Sequence, residues 1–233
     1  RVCPLFELSN AVIRDLRRRE QDFRTEHHIL HHGPMQHAHL EPDAEFQNGV
    51  AFVEVVFQKT FGLCGCGKIG GHTGAIAKAL GMRVLIYDPY PNDAGRAIGE
   101  YVTLDELYAR SDVITLHTNA TAENHHLINA DAIAKMKDGV LLVNTARGTL
   151  IDPDALVTGL ECGKIGGAGL DVIEDETGIC YYNRMGEAIP NRELNLLRSY
   201  PNVILSPHTA FYTDVNVANM VKSPFEALDA YAH

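Results

Sequence analysis

Residues 60–88 read T-F-G-L-C-G-C-G-K-I-G-G-H-T-G-A-I-A-K-A-L-G-M-R-V-L-I-Y-D, and this stretch decides the fold. The run T-F-G-L-C-G reads as an apolar strand, Lys68 to Leu80 as a helix, and R-V-L-I-Y-D as a second strand. Between strand and helix lies G-C-G-K-I-G, Gly65 to Gly70. A G-x-G-x-x-G match is weak by itself in a chain with 20 glycines. Here it follows a strand and opens a helix, and the next strand ends in Asp88, 18 residues after Gly70.

Each glycine has a physical task in such a turn. Gly65 permits the tight bend, Gly67 lets the backbone approach a pyrophosphate, and Gly70 lets the helix pack on the strand. Lys68 and Ile69 open the helix, whose unpaired N–H groups attract phosphate charge. Asp88 is placed to accept hydrogen bonds from the adenosine ribose hydroxyls. A carboxylate there repels a 2′-phosphate, so NAD is expected over NADP. The competing readings are a structural glycine turn in a flavodoxin-like fold, and Asp88 as a plain turn residue before Pro89. Cys64 and Cys66 form a C-x-C pair around the turn, but no second pair has ligand spacing, so no metal is expected. Cys66 is expected in the glycine turn beside the cofactor.

Downstream, the alternation continues. T-L-D-E-L-Y-A-R reads as a helix opened by a capping box, Thr103 with Glu106. D-V-I-T-L-H is a strand, Asp131 to Met136 a short helix, V-L-L-V-N a strand and Asp154 to Glu161 a helix. G-A-G-L-D-V and N-V-I-L-S complete the strands. Strands apolar along their whole length, alternating with helices, predict an α/β fold: a Rossmann-type doubly wound parallel sheet covered on both faces. A last helix is expected from about Thr213 to Tyr231, with Val217, Met220, Val221, Phe225 and Leu228 at helical spacing.

Composition is consistent with this. The chain has 233 residues, 45% hydrophobic and 21% charged, with a net charge of −10. An acidic chain repels nucleic acid overall. No apolar run approaches the roughly 20 residues a membrane helix needs. Five cysteines are too few and too odd for a disulfide scaffold, and point to a reducing, cytoplasmic setting.

The first 57 residues are different. Residues 11–24 read as one helix, with Arg14, Arg17, Arg18 and Arg19 on its wet face. Residues 25–48 carry His27, His28, His31, His32, His37 and His39 without a period and read as loop; solvated histidines are expected there rather than a metal site. Residues 50–57, V-A-F-V-E-V-V-F, form a candidate strand.

Three residues then stand just past strands, where open α/β sheets bind ligands. Arg147 follows V-L-L-V-N-T-A, Glu176 follows G-L-D-V-I-E-D, and His208 follows N-V-I-L-S-P. Arginine clamps a carboxylate with its planar fork. Histidine exchanges a proton with a hydroxyl or keto oxygen, and a carboxylate bonded to the imidazole favours its charged form. Singly each has a bland reading, as a surface charge, a solvated acidic run or a loop cap. Together, behind a dinucleotide turn, they suit hydride transfer on a hydroxy acid.

With those residues assembled, the chain resembles the D-isomer-specific 2-hydroxyacid dehydrogenases. The matching text is G-L-C-G-C-G-K-I-G, V-L-I-Y-D-P-Y, S-D-V-I-T-L-H, K-M-K-D-G-V-L-L-V-N-T-A-R-G, G-K-I-G-G-A-G-L-D-V-I-E-D-E and P-N-V-I-L-S-P-H-T-A-F-Y-T, from about Gln58 to Tyr231. The tail H-T-A-F-Y-T and the loop G-I-C-Y-Y-N look like the D-lactate dehydrogenase branch. The resemblance implies an NAD-dependent oxidoreductase acting on a small 2-hydroxy or 2-keto acid. It implies Arg147 at the substrate carboxylate, His208 as acid/base and Glu176 paired with it. It implies Asp171 near the nicotinamide carboxamide, and Lys68 and Ile69 over the pyrophosphate. Thr118, Asn119, Asn124, Thr145 and Ala146 would line the cofactor channel; Asn119 stands where the family usually has Pro.

The resemblance also implies a domain division: 1–57 as an inter-domain helix plus a divergent His-rich segment, 58–210 as the NAD-binding domain, and 211–233 as a helix returning toward a substrate domain. On this reading the flavodoxin-like substrate domain is largely missing, as in a truncated or misannotated gene product. A homodimer is implied, with no membrane or nucleic-acid partner. The second functional expectation is a non-catalytic NAD(H)-binding relative or redox-sensing regulator.

Overall fold

The computed structural model describes residues 56–180, 187, 189 and 191–232. The expected helix at 11–24, the basic run on it and the six early histidines lie outside the described residues. The chain divides into two compact units, Gln47–Ala210 and one that contains Phe211–His233.

The larger unit is built in the order β1 (Thr60–Cys64), α1 (Lys68–Ala79), β2 (Arg83–Tyr87), α2 (Asp93–Ile98), β3 (Glu100–Tyr101), α3 (Leu104–Arg110) and β4 (Val113–Leu116). Then come α4 (Ala130–Lys135), β5 (Val140–Asn144), a 3-10 turn (Gly148–Leu150), α5 (Pro153–Glu161), β6 (Ile165–Leu170), α6 (Arg192–Leu197) and β7 (Val203–Leu205). Among the described residues, all seven strands are parallel, in the order β3-β2-β1-β4-β5-β6-β7. The strand order reverses at β1, which pairs with β2 on one side and β4 on the other. That switch opens a crevice at the carboxyl ends of β1 and β4.

The two-residue period of a strand divides the core. Leu63, Val84 and Ile86 join Cys66 of the glycine turn and Ala77 of α1 in a small cluster on one face. Cys64, Ile114, Leu116, Val140, Leu142 and Ile165 join Leu107, Ile133, Leu156 and Leu160 on the other. The sheet is therefore buried on both sides, which is why its strands read as unbroken apolar runs. Burial pushes the Cys64 thiol up to about 12, leaving it an inert core residue.

Local chemistry sets the helix starts. The expected capping box is present: Thr103 Oγ1 accepts from the Glu106 N–H, and Glu106 accepts from the Thr103 N–H. Asn92, Asn129, Asp152 and Asn191 cap α2, α4, α5 and α6 in the same way with their side-chain oxygens.

Two expectations are corrected. Val56 and Phe57 are not strand: Val56 is helical and Phe57 lies in a turn. Gln58 takes φ 62° and donates its N–H to Gly81 O at 3.0 Å, turning the chain into β1. The strand expected at G-A-G-L-D-V runs Ile165–Leu170, so Asp171 and Val172 lie beyond its end. That shift puts Asp171 in the site region. The rest of the candidate strand, 50–55, lies outside the described residues.

In the second unit, α7 (Asp214–Ala232) matches the expected last helix. Its stripe of Met220, Val221, Phe225 and Leu228 is more than half exposed.

Candidate functional site

The glycine turn has the three properties predicted for it. Gly65 sits at φ 95°, where L side chains are strained, and a Cβ there would meet His117 O at 2.7 Å. A Cβ on Gly70 would fall on Gly65 O, so α1 crosses the turn at a distance only glycine allows. A Cβ on Gly67 would meet nothing within 4 Å, so the space beside it is open. The N-cap of α1, Gly67, offers no capping side chain, and no acidic residue lies in the first turn of α1. Lys68 and Ile69 are exposed there. An open, uncapped helix start behind a glycine is a fit for a pyrophosphate.

Asp88 follows the last residue of β2. Its Oδ2 accepts from the Cys66 N–H at 2.7 Å and its Oδ1 from the Tyr90 N–H at 2.8 Å. The carboxylate is thereby held against the glycine turn, where the ribose reading needs it. Cys66 donates its backbone to this link, while its side chain is 4% exposed and packs in the small core cluster with Leu63 and Ala77. The thiol thus belongs to the core below the turn. His117, at the end of β4, packs beneath the same turn with Nε2 3.1 Å from Thr115 Oγ1. Burial lowers its pKa and keeps it neutral.

Across the crevice, Asn124 organises the loop after β4. Its Nδ2 donates to Asn119 O at 2.7 Å and its Oδ1 accepts from the Thr121 N–H at 2.7 Å. Thr118 Oγ1 leans on Asn119 O at 3.4 Å. The expected Thr118, Asn119 and Asn124 therefore form one loop at the crevice.

Arg147, Glu176 and His208 lie past the ends of β5, β6 and β7, three neighbouring parallel strands. All three consequently emerge at the same edge of the sheet as the glycine turn. His208 Nδ1 and Glu176 Oε1 are 2.6 Å apart. Glu176 Oε2 also accepts from the Ile173 N–H at 3.2 Å. His208 has φ 53°, a left-handed backbone rare outside glycine, and such outliers gather at functional sites. Arg147 is exposed, with Nη1 donating to Ala146 O at 2.6 Å. Among the described residues, no hydrogen bond or ion pair joins Arg147 to His208 or Glu176. Thr145 is exposed and Ala146 half-buried beside it.

Asp171 is the anchor of the histidine loop. It is 4% exposed. Its Oδ1 accepts from Ser206 Oγ at 2.6 Å and the Thr209 N–H at 2.8 Å, and its Oδ2 from the Ala210 N–H at 2.9 Å. The His208 N–H donates to Asp171 O at 2.8 Å. Asn144, fully buried, shapes the arginine loop in the same way: its Nδ2 donates to Arg147 O at 2.8 Å and its Oδ1 accepts from the Ala146 N–H at 3.0 Å. Gly148 completes the arrangement, because a Cβ there would fall on the Ile173 backbone carbonyl. Sequence reasoning missed Asn144, Gly148 and Ser206. A buried polar side chain at a strand's last position was the available signal for Asn144.

The chain matches the description D-isomer specific 2-hydroxyacid dehydrogenase, NAD binding domain, over residues 30–210. It is 47% identical over 175 residues to a D-lactate dehydrogenase of Leuconostoc mesenteroides subsp. cremoris, covering 75% of this chain and 53% of that one. It is 46% identical over 164 residues to an aromatic 2-oxoacid reductase of Clostridium sporogenes, covering 70% and 50%. Among solved structures, it is similar to the D-lactate dehydrogenase of Aquifex aeolicus complexed with NAD and lactic acid, at TM-score 0.75 and 34% identity over 97% of this chain and 65% of that one. The chain spans about half the length of the curated relatives it matches. Among the described residues, no helix is long and apolar enough to cross a membrane.

Proposed function

The chain belongs to the D-isomer-specific 2-hydroxyacid dehydrogenase family, and from that premise we propose that it interconverts a D-2-hydroxy acid and its 2-keto acid, of the D-lactate and pyruvate kind. The observation that carries the proposal is the 2.6 Å pair of His208 and Glu176 at the edge of the sheet that bears the glycine turn.

Gly65, Gly67, Lys68, Ile69 and Gly70 would hold the pyrophosphate of NAD, and Asp88 the adenosine ribose. Thr118, Asn119, Asn124, Thr145, Ala146 and Asp171 would line the channel toward the nicotinamide. Bound there, NADH would supply the hydride for the keto carbon. The chain's own residues would do the rest. Arg147 would take the substrate carboxylate in its planar fork. His208, protonated, would polarise the keto oxygen and deliver its proton through Nε2, because Nδ1 is turned to Glu176. Glu176 would hold the ring in place and stabilise its charged form. The products would be the hydroxy acid and NAD, with one proton consumed.

A cytoplasmic location is part of the proposal, supported by the charge of −10 and the sparse cysteines. A homodimer is the proposed assembly, supported by the family resemblance. Mixing the purified chain with NADH and pyruvate, phenylpyruvate or another 2-keto acid tests the proposal. Loss of NADH absorbance is expected. NADH binding without turnover on any of them would overturn the catalytic reading and leave a binding or sensing role.

A further inference from the structure

We propose that His125, His126 and Glu174 form a binding site for a divalent transition-metal ion of the zinc class. The site is separate from the Arg147, Glu176 and His208 set and does not depend on the reaction proposed above.

His125 Nε2 lies 3.3 Å from Glu174 Oε1, and His126 Nε2 lies 2.8 Å from Glu174 Oε2. The three ligand atoms lie within 4.8 Å of one another. With bonds of roughly 2.0–2.1 Å, the edge of a tetrahedral zinc site is about 3.3 Å. The carboxylate–imidazole spacings are already close to that edge. Two histidines and one glutamate are a donor set that zinc accepts with a fourth position left to water.

Neighbouring side chains diverge along an extended backbone. Here they converge. His126 takes φ 51°, and the two imidazole rings stack at 3.9 Å between centroids. The left-handed residue is held in place: its N–H donates to Thr149 O at 2.9 Å, and Ile128 bridges Ile151 two residues on. Behind the ring, His126 Nδ1 faces Asp152 Oδ2 at 3.8 Å. A carboxylate on the far nitrogen is how metal-binding imidazoles are oriented. His125 is about half exposed and Glu174 largely buried, so an ion would reach the site from solvent and meet a preformed carboxylate. An ion there would tie the segment after Asn124 to the loop that carries Glu176.

The test is a titration of the full chain with Zn²⁺ by calorimetry, and with Co²⁺ by its visible absorption. One equivalent is expected at this site. His125→Asn and Glu174→Gln are each expected to weaken it at least about tenfold, the effect of losing even an indirect metal partner. Replacing His27, His28, His31, His32, His37 and His39 by Asn is expected to leave that equivalent in place. Because His125 is exposed, His125→Asn should keep the circular dichroism and melting temperature of the metal-free chain. It decides the matter should Glu174→Gln fail to fold. Zn²⁺ should raise the melting temperature of the parent chain and not that of His125→Asn. No bound equivalent, or one unchanged by His125→Asn, would overturn the proposal.

Discussion

His208 and Glu176, 32 residues apart in sequence, are joined Nδ1 to Oε1 at 2.6 Å, while the His208 backbone sits at φ 53°. The ring is therefore set from two sides. Its side chain is held by a carboxylate past β6, and its N–H by the carbonyl of Asp171, the first residue beyond that strand.

Glu176→Gln keeps the shape of that contact and removes its charge. A hydrogen bond to a charged group contributes about 1.5–3 kcal/mol, so kcat is expected to fall by about 10- to 150-fold. NADH affinity should stay near that of the parent. Steady-state kinetics with a 2-keto acid, alongside fluorescence titration with NADH, checks it.

Asp171→Asn acts through the loop instead. The amide turns two donors toward a site where Ser206 Oγ and the Thr209 and Ala210 N–H groups all donate. At least one half-buried donor then loses its acceptor. A loss of about 2–3 kcal/mol in urea denaturation is expected, together with a fall in kcat. Full stability in the variant would show that the carboxylate is not the anchor.

The glycines of the turn should separate binding from stability. Gly67→Ala meets no protein atom, so its melting temperature should hold while NADH binding weakens at least about tenfold, or 1.4 kcal/mol. Gly70→Ala drives a methyl group onto Gly65 O, and overpacking of this kind costs about 1–3 kcal/mol. Thermal melts and NADH titration on the two variants read the difference.

Asp112 gives the acid limb a defined contributor. Burial alone would raise its pKa. The Thr60 N–H at 2.7 Å and Lys137 Nζ at 2.9 Å outweigh that and hold it below the ordinary 3.8. A lowered folded value means stability that is full above the unfolded pKa and lost as pH falls through the folded one. Asp112→Asn should therefore be less stable than the parent at pH 7. The gap should narrow as the pH of the urea titration drops below 3.8.

The fold was legible where a local pattern carries it. Unbroken apolar strands, the Gly65–Gly70 turn and the Thr103 capping box each state their structure within a few residues. The placement of Arg147, Glu176 and His208 past strand ends was legible because a parallel sheet delivers the carboxyl end of every strand to one side. The misses are short or non-local. The six-residue α2 rests on Asn92, whose Nδ2 donates to Cys66 O 26 residues away at 3.1 Å, and β3 has only two residues. Nothing near Asp171 in sequence shows that it will hold Ser206 and Thr209. The pairing of His126 with Glu174 spans 48 residues and depends on a left-handed backbone that no hydropathy pattern encodes.

The central claim is that His208 moves the proton in a hydride-transfer reaction, and His208→Gln tests it most directly. Turnover of NADH with the best 2-keto acid should fall by about 10²- to 10⁴-fold, the usual worth of a positioned acid/base group, while NADH still binds. Unchanged turnover in folded His208→Gln protein would contradict the account.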